Sequence, residues 1–280
     1  MKKETIAVIM TVHNRKNTTI ECLRRLYMCP IPKNVEIFVY LMDDGSTDGT
    51  REAVLYEFPS VNVIQGNGKL YWNKGMRECW KEALKYKHDF FLWLNDDTYL
   101  YENAVEELYD VYKGLSPMSL VAGQLCSSAN PKQQTYGGKF KGKVIVPTGN
   151  AEICDVACGN VLLIPKAVVD KIGILSKFYS HKWGDFDYSI RAISKGIGIY
   201  TTRCFIGTCD KNNVPRGKWC NSNFPLRKRI EYFFSPNGAT PLEYAFYCFR
   251  TKTVKVALYN SILGNWHNFM KCLFPPKNDL

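Results

Sequence analysis

Residues 5–12, TIAVIMTV, form an unbroken β-rich apolar run, and Ile20, Leu23 and Tyr27 follow at helical spacing within residues 17–27. The pattern predicts a buried strand feeding an amphipathic helix. It recurs three times. EIFVYLM at 36–42 precedes a helical stretch at 50–58, residues 61–64 make a short strand before a helix with Met76, Trp80 and Leu84 on one face, and FFLWL at 90–94 leads to a helix from about residue 101. Strands apolar on both faces that alternate with helices imply a mostly parallel α/β sheet, covered on both sides and joined by right-handed crossovers. Ligands of such sheets bind beyond the carboxyl ends of the strands. Three of these ends are polar, at residues 11–14, 43–48 and 95–97, and are expected to converge on one crevice.

The second half is less regular. Residues 124–150 are rich in Gly and Lys and suggest a hairpin or loop insertion; 156–164, VACGNVLLI, read as one strand, and 165–172 as a short helix opened by Pro165. A helix is predicted over 185–195 with Ile190 and Ile193 on its core face and a stop at Gly196, followed by a strand at 197–206. Beyond residue 208 the composition shifts to Asn, Pro, Lys and Arg, and the tail is aromatic and basic.

Length and charge refine this picture. A chain of 280 residues accommodates one large domain with an appendage, or two small domains. Lys and Arg exceed Asp and Glu by 11, and residues 203–280 carry +8 of that surplus, which suits an anionic partner or a merely solvated basic face. The eleven cysteines are odd in number, contain no C-x-x-C pair and follow no charged-then-apolar leader, so buried free thiols in a cytoplasmic setting are expected. No apolar run nears the roughly 18 residues that span a bilayer, so any membrane contact is expected to be peripheral.

An Asp pair between a strand and a helix is commonly a turn with an N-cap. Here, however, "NDD" at 95–97 is matched by "MDDGSTDGT" at 42–50, on another strand end of the same inferred sheet. Carboxylates facing one cleft stay ionised only in cationic company, and hard oxygen ligands suit Mg²⁺ or Mn²⁺ with a phosphorylated ligand.

These residues resemble the family 2 glycosyltransferases of the GT-A fold, in particular the bacterial rhamnosyltransferase-like branch. The resemblance runs from "IAVIMTVHNR" through "VYLMDDGSTDGT", "GNGKLYWNKGM" and "FFLWLNDD" to "WGDFDYSIRA", over about residues 5–207. It implies a GT-A catalytic domain at 1–207, with a nucleotide-binding half over about 1–115 and an acceptor-side half over 116–207, and a basic helical extension at 208–280. It further implies an inverting transfer of sugar from a nucleotide-diphosphate donor to a saccharide or lipid-linked acceptor.

Carried over by position, Thr11 and His13 stand where the family meets the nucleobase, with Asn14 counted in the nucleotide-sugar site, and Asp44 corresponds to the carboxylate that hydrogen-bonds the base, with Asp43 holding the turn. Lys69, Trp72 and Asn73 lie in the segment passing near nucleotide or sugar. Asp96 faces the ribose or sugar and Asp97 ligates the metal; Asp185 falls at the general base. Two departures stand out. Gly184 replaces an acid that often precedes the base, and "CFIGTCDKN" offers Cys204 and Cys209 where many relatives place a histidine ligand. Residues 208–223 suit a loop over the diphosphate, with Lys211 or Arg216 adding charge. Asp187 and Arg191 read as a structural ion pair. The tail suits an anionic membrane surface, the catalytic domain or a second subunit equally. A sugar nucleotidyltransferase is the competing enzyme, but that class needs a Gly-rich loop after its first strand, and "TVHNRKNTT" has no glycine. A basic nucleic-acid-binding or membrane-binding protein explains the tail but not the aligned acids, and no nucleic acid is expected as partner.

Overall fold

The computed structural model describes residues 3–211 and 217–275; Arg216 lies outside them. Strands β1 (Glu4–Val12), β2 (Val35–Asp43), β3 (Asn62–Gln65) and β4 (Phe90–Leu94) alternate with helices α1 (Lys16–Met28), α2 (Thr50–Glu57) and α3 (Tyr71–Ala83). Then follow β5 (Tyr99–Leu100), α4 (Ala104–Lys113), β6 (Ser119–Cys126), a small sheet of β7 (Gly138–Phe140), β8 (Lys143–Val144) and β9 (Val156–Ala157), and the pair β10 (Val161–Pro165) and α5 (Lys166–Ile172). Helix α6 (Gly184–Ser194) and strand β11 (Gly198–Thr208) precede the tail helices α7 (Leu226–Phe234), α8 (Pro241–Thr251), α9 (Val254–Tyr259) and α10 (Asn265–Leu273).

The main sheet has eight strands in the order β3-β2-β1-β4-β10-β6-β11-β5. Strands β3, β2, β1 and β4 are mutually parallel, as are β6 and β11. Ile6, Ala7, Val8, Ile9 and Met10 are each 1% exposed or less, so both faces of β1 are covered and the unbroken apolar run is explained. Two core layers result. One holds Leu23, Leu26 and Leu108 against Val8 and Leu92; the other holds Met76, Trp80 and Tyr188 against Ile9 and Trp93.

The second half corrects several expectations. Residues 156–164 are two strands, not one, because the chain breaks at 158–160; β10 then runs antiparallel to both β4 and β6. Strand β6 begins before the stretch read as irregular and runs into its first three residues, and the helix expected from about residue 101 starts at Ala104, after the two-residue β5. On α6 the buried face is Asp187, Tyr188, Ser189 and Ala192, whereas Ile193 is 43% exposed. A single apolar stripe misreads a helix that buries a charge. Asp187 accepts from Arg191 Nε at 2.9 Å, as expected, and also meets Arg250 Nε of α8 at 3.2 Å.

That second contact is part of the docking of α8 on α6 and the segment before it. Phe246 stacks on Phe178 at 3.8 Å between centroids, Tyr247 stacks on Trp183 at 4.8 Å, and Glu243 accepts from the Ser180 amide at 2.9 Å. Helices α9 and α10 instead leave Leu258, Tyr259, Ile262 and Trp266 exposed along the run that joins them. Among the described residues no helix is long and apolar enough to cross a membrane.

Candidate active site

Parallel pairing aligns the carboxyl ends of β2, β1 and β4. Val12 is opposite Asp43 and Ile9 opposite Trp93, so the residues that follow each strand emerge side by side. A cavity of about 910 Å³ opens there, lined by Thr11, His13, Arg15, Asp44, Trp72, Asp96 and Asp97 on this wall and by Gly159, His181, Lys182, Trp183 and Asp185 on the other. The three polar strand ends therefore meet in one space, and the start of α6 meets them.

Asp44 is buried and fully engaged. Its Oδ1 accepts from the Gly68 amide at 2.8 Å, and its Oδ2 from the amides of Leu70 and Tyr71 at 2.8 and 3.0 Å, which shapes the loop that enters α3. Asp43 holds the preceding turn through the Ser46 amide at 2.9 Å. His13 Nδ1 lies 2.6 Å from the Asp44 carbonyl. A carbonyl only accepts, so Nδ1 carries the proton and Nε2 is free to accept from Asn14 Nδ2 at 3.2 Å.

Three residues expected at the ligand stand off the cavity wall. Asn14 ties the β1 loop to the β2 loop, its Oδ1 accepting from the Thr47 amide at 2.7 Å. Asn73 is buried and donates to the carbonyls of Ser176 and Tyr179 at 2.9 and 2.7 Å, so it anchors the segment before α6. Lys69 is exposed beside the Gly68 rim. Trp72 does line the cavity, and its Nε1 donates to Asn95 Oδ1 at 2.7 Å.

The acidic pair forms the centre of a turn in which the Asn95 carbonyl accepts from the Thr98 amide at 3.1 Å, and the Asn95 amide donates to the Asn160 carbonyl at 3.0 Å. Asp96 is buried; burial pushes its carboxyl up to about 7, against the pull of Arg15 and with the added repulsion of Asp97. Arg15 Nε is 3.3 Å from Asp96 Oδ2 and Nη2 is 3.1 Å from Asp97 Oδ2. Cys209 Sγ lies 3.6 Å from Asp97 Oδ1, and burial, then the Asp97 charge, pushes the thiol up to about 12. Cys204, in contrast, faces Asn103 at 3.8 Å.

Asp97 offers hard oxygen donors, whereas the protonated Cys209 thiol suits Mg²⁺ or Mn²⁺ poorly. Among the described residues no three His, Cys, Asp or Glu side chains form a cage. A cation held by Asp97 would therefore need phosphate and water oxygens to complete its shell, as Mg²⁺ does beside one or two carboxylates.

Asp185, in the first turn of α6, is partly buried at the cavity wall. Its Oδ1 accepts from the Phe186 amide at 2.9 Å and its Oδ2 from the Gly159 amide at 3.1 Å. Burial nevertheless raises its pKa above the ordinary value, the amides opposing it. The two glycines beside it are steric requirements. A Cβ on Gly184 would overlap Asn73 Oδ1, and one on Gly159 would overlap the Trp72 indole, so an acid at 184 has no room.

Sequence patterns missed Arg15, Asn160, His181, Lys182 and Trp183. Arg15 and Trp183 left a signal, as the last residue of "IAVIMTVHNR" and the first of "WGDFDYSIRA". Burial and the Lys182 charge hold His181 below its ordinary pKa. Trp183 takes a left-handed backbone, φ 72°, and its buried Nε1 has no protein partner among the described residues.

The comparisons agree with this architecture. S. aureus TarS 1–349 superposes with a TM-score of 0.57 at 13% identity, over 96% of this chain and 89% of that one. The mannosyltransferase PcManGT from Pyrobaculum calidifontis, solved with GDP-Man and Mn²⁺, gives 0.55 at 12% identity, over 98% and 74%. No curated protein sequence matches. The curled, mostly parallel sheet and its flanking helices have the GT-A fold of these neighbours. The sequence profile described as glycosyl transferase family 2 matches residues 7–163, more than half of the chain. The chain belongs to glycosyl transferase family 2.

Proposed function

We propose that this glycosyltransferase moves a sugar, with inversion, from a nucleotide-diphosphate donor to a glycan or lipid-linked saccharide in surface polysaccharide synthesis. The reading rests on one observation: Asp44, Asp96, Asp97 and Asp185, from widely separated segments, line one cavity. PcManGT was solved with GDP-Man and TarS 1–349 with UDP-GlcNAc, which supports a nucleotide-sugar donor. Residues 1–115 form the nucleotide half and 116–207 the acceptor half, with 208–280 as extension.

Thr11, His13 and Asp44 take the nucleoside end, with Asn14, Lys69 and Asn73 shaping the loops around it. Trp72 and Asp96 face the ribose and sugar. Asp97 would hold Mg²⁺ or Mn²⁺, which when bound offsets the charge building on the departing nucleoside diphosphate. Asp185 accepts the proton of the acceptor hydroxyl as that oxygen bonds to the anomeric carbon. The bond to the diphosphate breaks on the opposite face, its electron pair leaving with the nucleoside diphosphate, so configuration inverts.

The exposed Leu258, Tyr259, Ile262 and Trp266 beside Lys255 and Lys271 support docking on an anionic inner-membrane surface from the cytoplasm. Flotation with anionic vesicles tests this; a dimer that persists without lipid assigns the same face to a second copy.

A panel of nucleotide sugars, read by thermal shift and slow donor hydrolysis with Mn²⁺ or chelator, tests the reaction. Asp97→Asn is expected to lose metal-dependent donor binding, and Asp185→Asn to keep donor binding and lose transfer by about a thousandfold. Equal loss of both functions in a folded Asp185→Asn contradicts these roles.

A further inference from the structure

Arg15 lies against the acidic pair without a task in the mechanism above. It precedes α1, and its carbonyl accepts from the Thr19 amide at 2.9 Å, which fixes its backbone beside the strand ends. Its side chain is 40% exposed, so the guanidinium has room to swing. One fork spans both carboxylates, at 3.3 Å to Asp96 Oδ2 and 3.1 Å to Asp97 Oδ2. The cavity's ammonium group, Lys182 Nζ, is committed to the carbonyls of Gly238 and Asn237 at 2.6 and 3.2 Å. Arg15 is thus the cation serving the acidic pair among the described residues of the cavity.

We propose that Arg15 is a resident counter-ion that holds Asp97 Oδ2, while Oδ1 faces the Cys209 thiol, so that it competes with a divalent cation for this carboxylate and passes to the diphosphate when the nucleotide binds. The inference rests on the metal reading of Asp97. One carboxylate oxygen does not hold a guanidinium and a dication together without forcing like charges into contact. Phosphate oxygens, in turn, match the bidentate geometry of arginine. The free protein therefore binds metal weakly, and metal and nucleoside diphosphate enter with positive coupling.

The test is a titration of Mn²⁺, followed by the electron paramagnetic resonance of the free ion, into the full chain. Wild type, Arg15→Gln, Arg15→Lys and Asp97→Asn are each measured alone and with UDP or GDP. Without nucleotide, Arg15→Gln is expected to bind Mn²⁺ about tenfold more tightly than wild type, and Arg15→Lys, which keeps the charge, to stay near wild type. The gain from adding nucleotide shrinks in Arg15→Gln. Equal Mn²⁺ affinity in wild type and Arg15→Gln, with none in Asp97→Asn, overturns the counter-ion role and leaves the metal reading standing. Unchanged binding in Asp97→Asn, or no binding by any protein with either nucleotide, overturns both. If melting curves show Arg15→Gln unfolded, wild type alone decides: Mn²⁺ bound as tightly without nucleotide as with it overturns the proposal.

Discussion

The wall built from β1, β2 and β4 and the wall built from residues 158–186 present carboxylates to the same cavity, but different parts of the chain hold them there. On the first wall, adjacent parallel strands align their carboxyl ends, and amides of the loop that follows the neighbouring strand β3 finish the geometry, as when Asp44 collects those of Gly68, Leu70 and Tyr71. On the second, Asp185 is placed by a turn and two helices, with no shared strand register. Gly159 supplies an amide, Asn73 anchors the preceding segment, and α8 packs Tyr247 against Trp183. The first wall follows from a repeated strand register; the second needs α3, the turn at 158–160 and α8 to be brought together.

Substitutions can break this contrast. The largest effect is expected for Asp44→Ala, which strands three backbone amides at about 1–3 kcal/mol each where they are buried; we expect at least about 3 kcal/mol less stability in denaturant unfolding. Gly159→Ala sits where the walls touch. Its new methyl must displace Trp72 next to Asp185, and transfer is expected to drop about 100-fold with donor affinity changed far less. A larger loss of donor binding than of transfer would mean that the walls do not act separately.

Arg250→Ala removes the α8 contact with Asp187 while Arg191 remains, so about 1–2 kcal/mol of stability is expected to be lost, with α8 released first in hydrogen exchange. The smallest effect is on pH. Asp185 must be ionised to accept a proton and its pKa is raised by burial, so transfer is expected to fall as pH drops, at a pH above the ordinary carboxylate range. The same shift makes the folded state bind the proton more tightly than the unfolded chain. Stability therefore declines as pH rises between the unfolded and folded pKa values, and Asp185→Asn removes that slope. An acid limb at the ordinary value would place Asp185 in water.

Much of the first wall was legible in advance. Apolar runs that end in TVHN, DDGS and NDD identify strand and loop together, because a strand buried on both faces changes abruptly to polar residues where it leaves the sheet. Asn14 and Asn73 were found as members of the right segments but not for their hydrogen bonds, since an amide side chain serves a ligand or a neighbouring loop equally well. The gap at 158–160 carries a turn signal, Gly159-Asn160, that the apolar residues on either side overshadowed, and the burial of Asp187 misled the reading of α6, because its charge is compensated by Arg191 and Arg250.

Sequence alone determined the α/β character, the parallel first half, the acidic strand ends and the starting position of α6, all of which follow from periodicities and turn residues within a few positions of one another. Only the tertiary structure decided that β10 reverses direction, that Gly184 is required by Asn73, that Arg15 bridges Asp96 and Asp97, and that α8 backs the wall that carries Asp185. Those outcomes depend on contacts between residues far apart in the chain, whose pairing no local pattern encodes.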